Sequence, residues 1–174
     1  TQIAAITKNK RQDVFVHAIA ELRKTGEKVI GLFLGDVVTD SDREYKRELI
    51  ARIRLLHLED SIYVAGFRNN ISDYLALTDC VLIPSEEGLS LAAMEAMSAK
   101  CHVIAQSQGG AHELLMAAGC GTFYQSSSDV SVIARAVRRS LSENEEKRND
   151  GFRFCLEQSP EVYGKKLHHI FELK

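Results

Sequence analysis

The sequence predicts a doubly wound α/β fold on a six-stranded parallel sheet, with additional helices at its carboxyl end. Three observations carry this. Short β-type runs alternate with longer helical ones as far as residue 124. Most of these runs are apolar along their whole length, as strands covered on both faces must be. From residue 129 onward only helical patterns remain. The 174 residues suit one domain spanning 1–174, with no linker, repeat or low-complexity tract.

Residues 2–6 read as the first strand. Residues 13–24 follow as a helix with a broad apolar stripe through Val14, Ile19 and Leu22. The run 28–34 is a continuous apolar strand ending at Gly35 and Asp36. A helix over 41–58 opens in an Asp/Ser cluster suited to N-capping and carries Leu49, Ile50, Ile53 and Leu56 on one face. The third strand, 61–65, stops at Gly66; Asn70 caps a short helix over 71–77. Strand 80–83 is halted by Pro84, and 89–99 reads as a nearly all-apolar, buried helix. Strand 102–105, helix 111–117 and strand 121–124 complete the alternation, and helices over 130–141, 143–156 and 161–173 close the chain. The strand order expected of such a sheet is 3-2-1-4-5-6, with ligand bound at the carboxyl ends where the order reverses.

Composition narrows the function classes. Lys and Arg number 22 against 24 Asp and Glu, a formal charge of −2, which argues against a nucleic-acid partner. No apolar run has the length of a membrane span. The four cysteines form no CxxC pair and read as buried thiols of a reducing, cytoplasmic compartment. His57, His112, His168 and His169 have no metal-ligand spacing. Thr1 starts the chain within a strand pattern, as in a fragment of something longer.

The segment after the fourth strand holds the candidate chemistry. Glu87 sits at a strand-to-helix turn and Glu95 lies eight residues on, a helical rise of about 12 Å. Between them the amides of Gly88, Leu89, Ser90 and Leu91 stand at a helix start, where free N–H groups and the helix dipole favour an anion. An anion flanked by hydroxyl-accepting carboxylates outlines a nucleoside diphosphate sugar.

The stretch from Glu87 to Met97 resembles the E-x7-E motif of the group 1 (family 4) retaining glycosyltransferases. The resemblance extends along nearly the whole chain. The run from Ser107 to Glu113 is similar to the family's Gly-Gly-x-x-Glu turn, Lys10-Arg11-Gln12-Asp13 to its lysine turn after the first strand, and Val64-Ala65-Gly66-Phe67 to the turn after the third. It implies a Rossmann-like, donor-binding C-terminal domain of a two-domain GT-B fold, with the acceptor-binding N-terminal domain absent. Any peripheral membrane association, and the glycan or lipid-linked acceptor, would belong to that missing half.

Carried over residue by residue, the resemblance makes Glu87 and Lys10 the catalytic residues. Glu87 contacts the donor sugar, and Lys10 neutralises the leaving diphosphate without a metal or other cofactor. Glu95 takes the ribose, the amides of Gly88, Leu89, Ser90 and Leu91 take the phosphates, and Gly66, Phe67 and Arg68 line the base. Three positions depart from the family, the mildest being Ser90, which takes a place often held by glycine or proline. Ala5 stands where an arginine is usual, leaving a second phosphate cation to Lys8 or Arg11. Lys100 stands where glycine would ease a left-handed helix end. The implied function is hexosyl transfer from a nucleotide sugar, the isolated domain binding donor without turnover. A non-catalytic nucleotide-binding or interaction module of the same fold, and a sugar-nucleotide epimerase, are the alternatives.

Overall fold

A computed structural model describes residues 1–125, 129–143, 145–159 and 161–162. The strands are β1 (Gln2–Ile3), β2 (Gly31–Leu34), β3 (Ile62–Gly66), β4 (Cys80–Ile83), β5 (His102–Gln106) and β6 (Thr122–Tyr124). The helices are α1 (Gln12–Lys24), α2 (Asp40–Leu55), α3 (Ile71–Leu75), α4 (Leu91–Ser98), α5 (Gly110–Ala117), α6 (Ser131–Ser142) and α7 (Glu145–Glu157), with a 3-10 turn at Lys8–Lys10 before α1. The closing helix expected over 161–173 lies outside the described residues beyond Val162.

All strand pairing is parallel, as the apolar runs predict. The expected single sheet is instead divided into two three-stranded sheets, ordered β1-β2-β3 and β4-β5-β6. The reason is the brevity of β1. Thr1 bridges the halves, its nitrogen donating to the Cys80 carbonyl and its carbonyl accepting from the Leu82 amide, both at 2.9 Å. These bonds set β1 beside β4, so the spatial sequence remains 3-2-1-4-5-6 with its reversal between β1 and β4.

The double winding is visible in side-chain alternation. Leu82 of β4 and Ile104 of β5 join a core with α1, α2 and α6; Val81, Ile83, Val103 and Ala105 point into the opposite core with α3, α4 and α5. α7 packs against α4. Local chemistry sets the helix starts. Thr39 Oγ1 accepts from the Asp42 amide while Asp42 accepts from the Thr39 amide, a reciprocal cap at α2. Lys100 follows the end of α4 at φ 57°, the left-handed position read from sequence. All four cysteines are free; Cys101 and Cys120 are buried, Cys80 and Cys155 half-buried. Among the described residues no helix is long and apolar enough to cross a membrane.

Candidate nucleotide-sugar site

Two groups of side chains form where the strands end. The first gathers on Glu87. The 3-10 turn after β1 carries Lys10 to it, and Lys10 Nζ lies 2.8 Å from Glu87 Oε1. Buried Gln2 steadies that turn, its Nε2 donating to the Lys10 carbonyl at 2.6 Å, while buried Gln12 donates to the Ala5 carbonyl at 2.9 Å. Ser85 Oγ also donates to Glu87 Oε1, at 2.8 Å. The side chains of Lys10 and Glu87 are 32% and 15% exposed, so solvent screens this pair less than one on the open surface.

The backbone around Glu87 is fixed by the turn after β5. Gln106 Nε2 donates to the Pro84 carbonyl, the Gly110 amide to the Glu87 carbonyl at 2.6 Å, and Gln108 Nε2 to Glu86 Oε1 at 2.7 Å. The approach needs glycine: a Cβ on Gly110 would lie 1.2 Å from the Gly88 carbonyl oxygen. The Gly109-Gly110 pair is thereby a packing requirement of the Glu87 loop.

The second group surrounds Glu95. A cavity of about 410 Å³ opens at the carboxyl ends of β1, β2 and β3, lined by Ala4, Ala5, Gly35, Phe67, Arg68 and Glu95 among others. An adjoining groove of about 710 Å³ runs between α3 and α4; Asn69, Ile71 and Glu95 line both. Arg68 is braced by Tyr74, its Nε donating to the Tyr74 hydroxyl at 2.9 Å, and by its bond to the Phe67 carbonyl. Desolvation raises the Glu95 carboxyl above the usual carboxylate range.

Several expectations need correction. The motif helix begins at Leu91, not residue 89, because the Ser90 hydroxyl caps it by accepting from the Ala93 amide at 3.3 Å. Gly88 and Leu89 are exposed in the preceding turn and Ser90 is the buried cap, so of the four chosen amides only that of Leu91 lies within the helix; Ala92 supplies the next unpaired one. The helix is also less buried than its apolarity suggests. Ala93, Ala96 and Met97 face the core, whereas Leu91 and Glu95 are exposed along the groove. Glu87 is absent from the lining of the Glu95 cavity, so the two carboxylates occupy separate groups joined by the 88–91 segment. Gly66, at φ 75°, ends β3 beside Gly35 and does not line the cavity. Lys8 and Arg11 line a different cavity, with Tyr45 and Arg52, whereas Arg68 is a cation that shares the Glu95 cavity with Ala5.

Sequence reading gave Ser85, Gln2, Gln106 and Gln108 no role. Ser85 was signalled by its place in the motif loop; nothing local marks the glutamines, whose partners lie on other loops. Among the described residues no group of three His, Cys, Asp or Glu side chains is placed to hold a metal.

Residues 1–151 match the family model for glycosyl transferases group 1. The chain belongs to this family. Over 106 residues it is 28% identical to N-acetyl-alpha-D-glucosaminyl L-malate synthase of Bacillus anthracis, covering 60% of this chain and 28% of that protein. It is similar to the crystal structure of the C-terminal domain of LpcC, a group 1 glycosyl transferase from Francisella tularensis, at 26% identity and TM-score 0.74, with 88% and 82% of the two chains covered. Anabaena HepE, solved with UDP, shares the fold at 21% identity and TM-score 0.81, over 99% of this chain and 48% of that one. The chain thus spans little more than a quarter of its curated relative and about half of HepE. The resemblance read from the E-x7-E and Gly-Gly-x-x-Glu segments named the same family.

Proposed function

We propose that this group 1 glycosyltransferase chain binds a nucleoside diphosphate sugar at the carboxyl ends of its strands. It is the donor half of a retaining, metal-independent hexosyltransferase whose other half takes a glycan or lipid-linked acceptor. The observation that carries the reading is the convergence of Glu95, Phe67 and Arg68 on one cavity beside the Lys10–Glu87 pair. HepE, of the same fold, has been solved with UDP and with UDP-glucose, which supports a nucleotide sugar here.

In this reading Glu95 accepts from ribose hydroxyls, Arg68 and Phe67 flank the base with Gly66 turning the chain beneath them, and Glu87 accepts from the donor sugar. The backbone from Gly88 through Leu91 to Ala92 faces the phosphates, where the N-terminal amides of α4 offer donors and partial positive charge. Lys10 turns toward the diphosphate as negative charge develops on the leaving group, the preorganised electrostatic stabilisation on which such transfer depends. No cation or cofactor beyond the chain's own residues enters this scheme. In this reading the chain alone binds donor without turnover, the acceptor being held by the other half. A cytoplasmic location, with membrane contact confined to the other half, accompanies the proposal.

Titration calorimetry with UDP, GDP and ADP tests it. Glu95→Gln lowers the affinity for the preferred nucleotide about tenfold; unchanged affinity removes the ribose role. One observation favours a second reading, a nucleotide-binding module without catalysis: Ala5 lines the cavity where the family has a cation, and Lys8 and Arg11 lie elsewhere. Sugar transfer by the full-length protein excludes that reading.

A further inference from the structure

We propose that Ser85 is the positioning residue that orients Glu87 for the donor sugar, an inference that rests on the reading of Glu87 as the sugar contact. Two donors converge on a single oxygen of this carboxylate. Ser85 Oγ and Lys10 Nζ each stand 2.8 Å from Oε1. Among the described residues no protein donor is recorded at Oε2, which is left to accept hydroxyls from a ligand.

The two donors are not equivalent. Lys10 arrives from a loop 77 positions away on a long stem and is a third exposed. In the proposed reaction it also serves the diphosphate, so its bond to Glu87 weakens when donor is bound. Ser85 is two residues from Glu87, buried to 5% exposure, with one rotatable bond before its hydroxyl. Its backbone is held as well. Pro84 before it is fully buried, with a carbonyl that accepts from Gln106, and the Glu87 carbonyl after it accepts from the Gly110 amide. With both of these carbonyls tied, the Ser85 hydroxyl restrains the side-chain torsions of Glu87 from a fixed point of the loop.

The neighbouring Glu86 shows the contrast. Its carboxylate is drawn to exposed Gln108 on the other loop. Adjacent glutamates are thus sorted by different donors, and only Glu87 is aimed into the Lys10 cluster. Sugar recognition through Glu87 therefore depends on Ser85, whereas nucleotide recognition through Glu95 and Arg68 does not.

The test uses the 174-residue chain and calorimetric titration with UDP, UDP-glucose and UDP-N-acetylglucosamine, and with GDP and GDP-mannose. The tightest nucleotide sugar and its parent nucleotide are carried through the variants, with thermal melts to establish folding. Ser85→Ala is expected to lower affinity for the nucleotide sugar about fivefold while leaving the nucleotide within twofold. Ser85→Thr, which keeps the hydroxyl, restores the ratio. Glu87→Gln lowers the same ratio, and Ser85→Ala adds nothing in that background, as for residues acting through one another. An equal loss for both ligands, no change in the ratio, or full additivity with Glu87→Gln overturns the Ser85 proposal. If Glu87→Gln itself leaves the ratio unchanged, the reading of Glu87 fails instead. Absence of binding by the unaltered chain to every ligand overturns both.

Discussion

Lys10 and Glu87, 77 positions apart in sequence, meet at 2.8 Å through one carboxylate oxygen. The contact ties the turn after β1 to the turn after β4, across the point where the strand order reverses. It also gives the free chain a cation already partnered, for which a donor diphosphate bound as proposed would have to compete.

Replacing Lys10 by Met removes that cation while keeping much of its apolar stem. Charge-assisted bonds contribute about 1.5–3 kcal/mol each, so affinity for UDP falls about tenfold or more. Affinity for UMP, which lacks the second phosphate, falls less. Calorimetry on the two ligands checks this; equal losses contradict a role at the diphosphate.

Glu95 predicts a pH dependence. Its carboxyl is raised by desolvation, so the ionised, hydroxyl-accepting form is lost at a higher pH than for an ordinary glutamate as acid is added. Nucleotide affinity therefore declines between neutral pH and pH of about 5 more steeply in the native chain than in Glu95→Gln. Parallel profiles for the two proteins would separate Glu95 from the ligand.

Gly110→Ala drives a methyl group into the Gly88 carbonyl, at 1.2 Å before any relaxation. The loops after β4 and β5 must separate, breaking the bond between the Gly110 amide and the Glu87 carbonyl. A destabilisation of about 3 kcal/mol is expected in chemical denaturation, the upper range for overpacking, with nucleotide-sugar binding lost in the protein that remains folded.

Two α-helices, α2 and α4, are followed at their carboxyl ends by a side chain in left-handed backbone. His57 follows α2 at φ 53° and Lys100 follows α4 at φ 57°, each with the paired closing bonds of a helix stop, such as the Leu58 amide to the Ile53 carbonyl and the Cys101 amide to the Ala96 carbonyl. Glycine relieves about 1 kcal/mol of strain at such a position. His57→Gly is expected to stabilise by about that amount. Lys100→Gly gains about half as much, because Lys100 Nζ also lies 4.7 Å from the Phe152 ring centre, a contact of about 0.5 kcal/mol where exposed. Melting of the two variants side by side tests the difference.

Much of the fold was legible because burial leaves a plain periodic record. The strands 80–83 and 102–105 were placed to within a residue of β4 and β5, since both are apolar on both faces. The expected strand 28–34 is overextended: Val29 and Ile30 are apolar enough, but the Gly31 amide makes the first bond to the β3 edge, through the Ser61 carbonyl, and Ile30 is 62% exposed. At this position apolarity marks neither burial nor the presence of a pairing partner. The first strand was overextended for a related reason. Its Ala4 and Ile6 amides still bond to the Leu34 and Asp36 carbonyls, yet the chain bends there toward the Lys8–Lys10 turn. At the site, the motif spacing marks Glu87 and Glu95 but not the Ser90 cap, because Ser90 enters that reading through its amide and not its hydroxyl. The pairing of Lys10 with Glu87 was not readable, because it depends on two loops meeting across the sheet.

In the proposed function a nucleotide occupies the cleft around Glu95 at the carboxyl ends of β1, β2 and β3. The most direct measurement is an amide-resolved NMR titration of the chain with UDP. The largest, saturating shifts are expected to cluster at Arg68, Asn69, Leu91, Ala92 and Glu95. Shifts confined to the separate cavity lined by Lys8, Tyr45 and Arg52, or the absence of any saturating cluster, would contradict it.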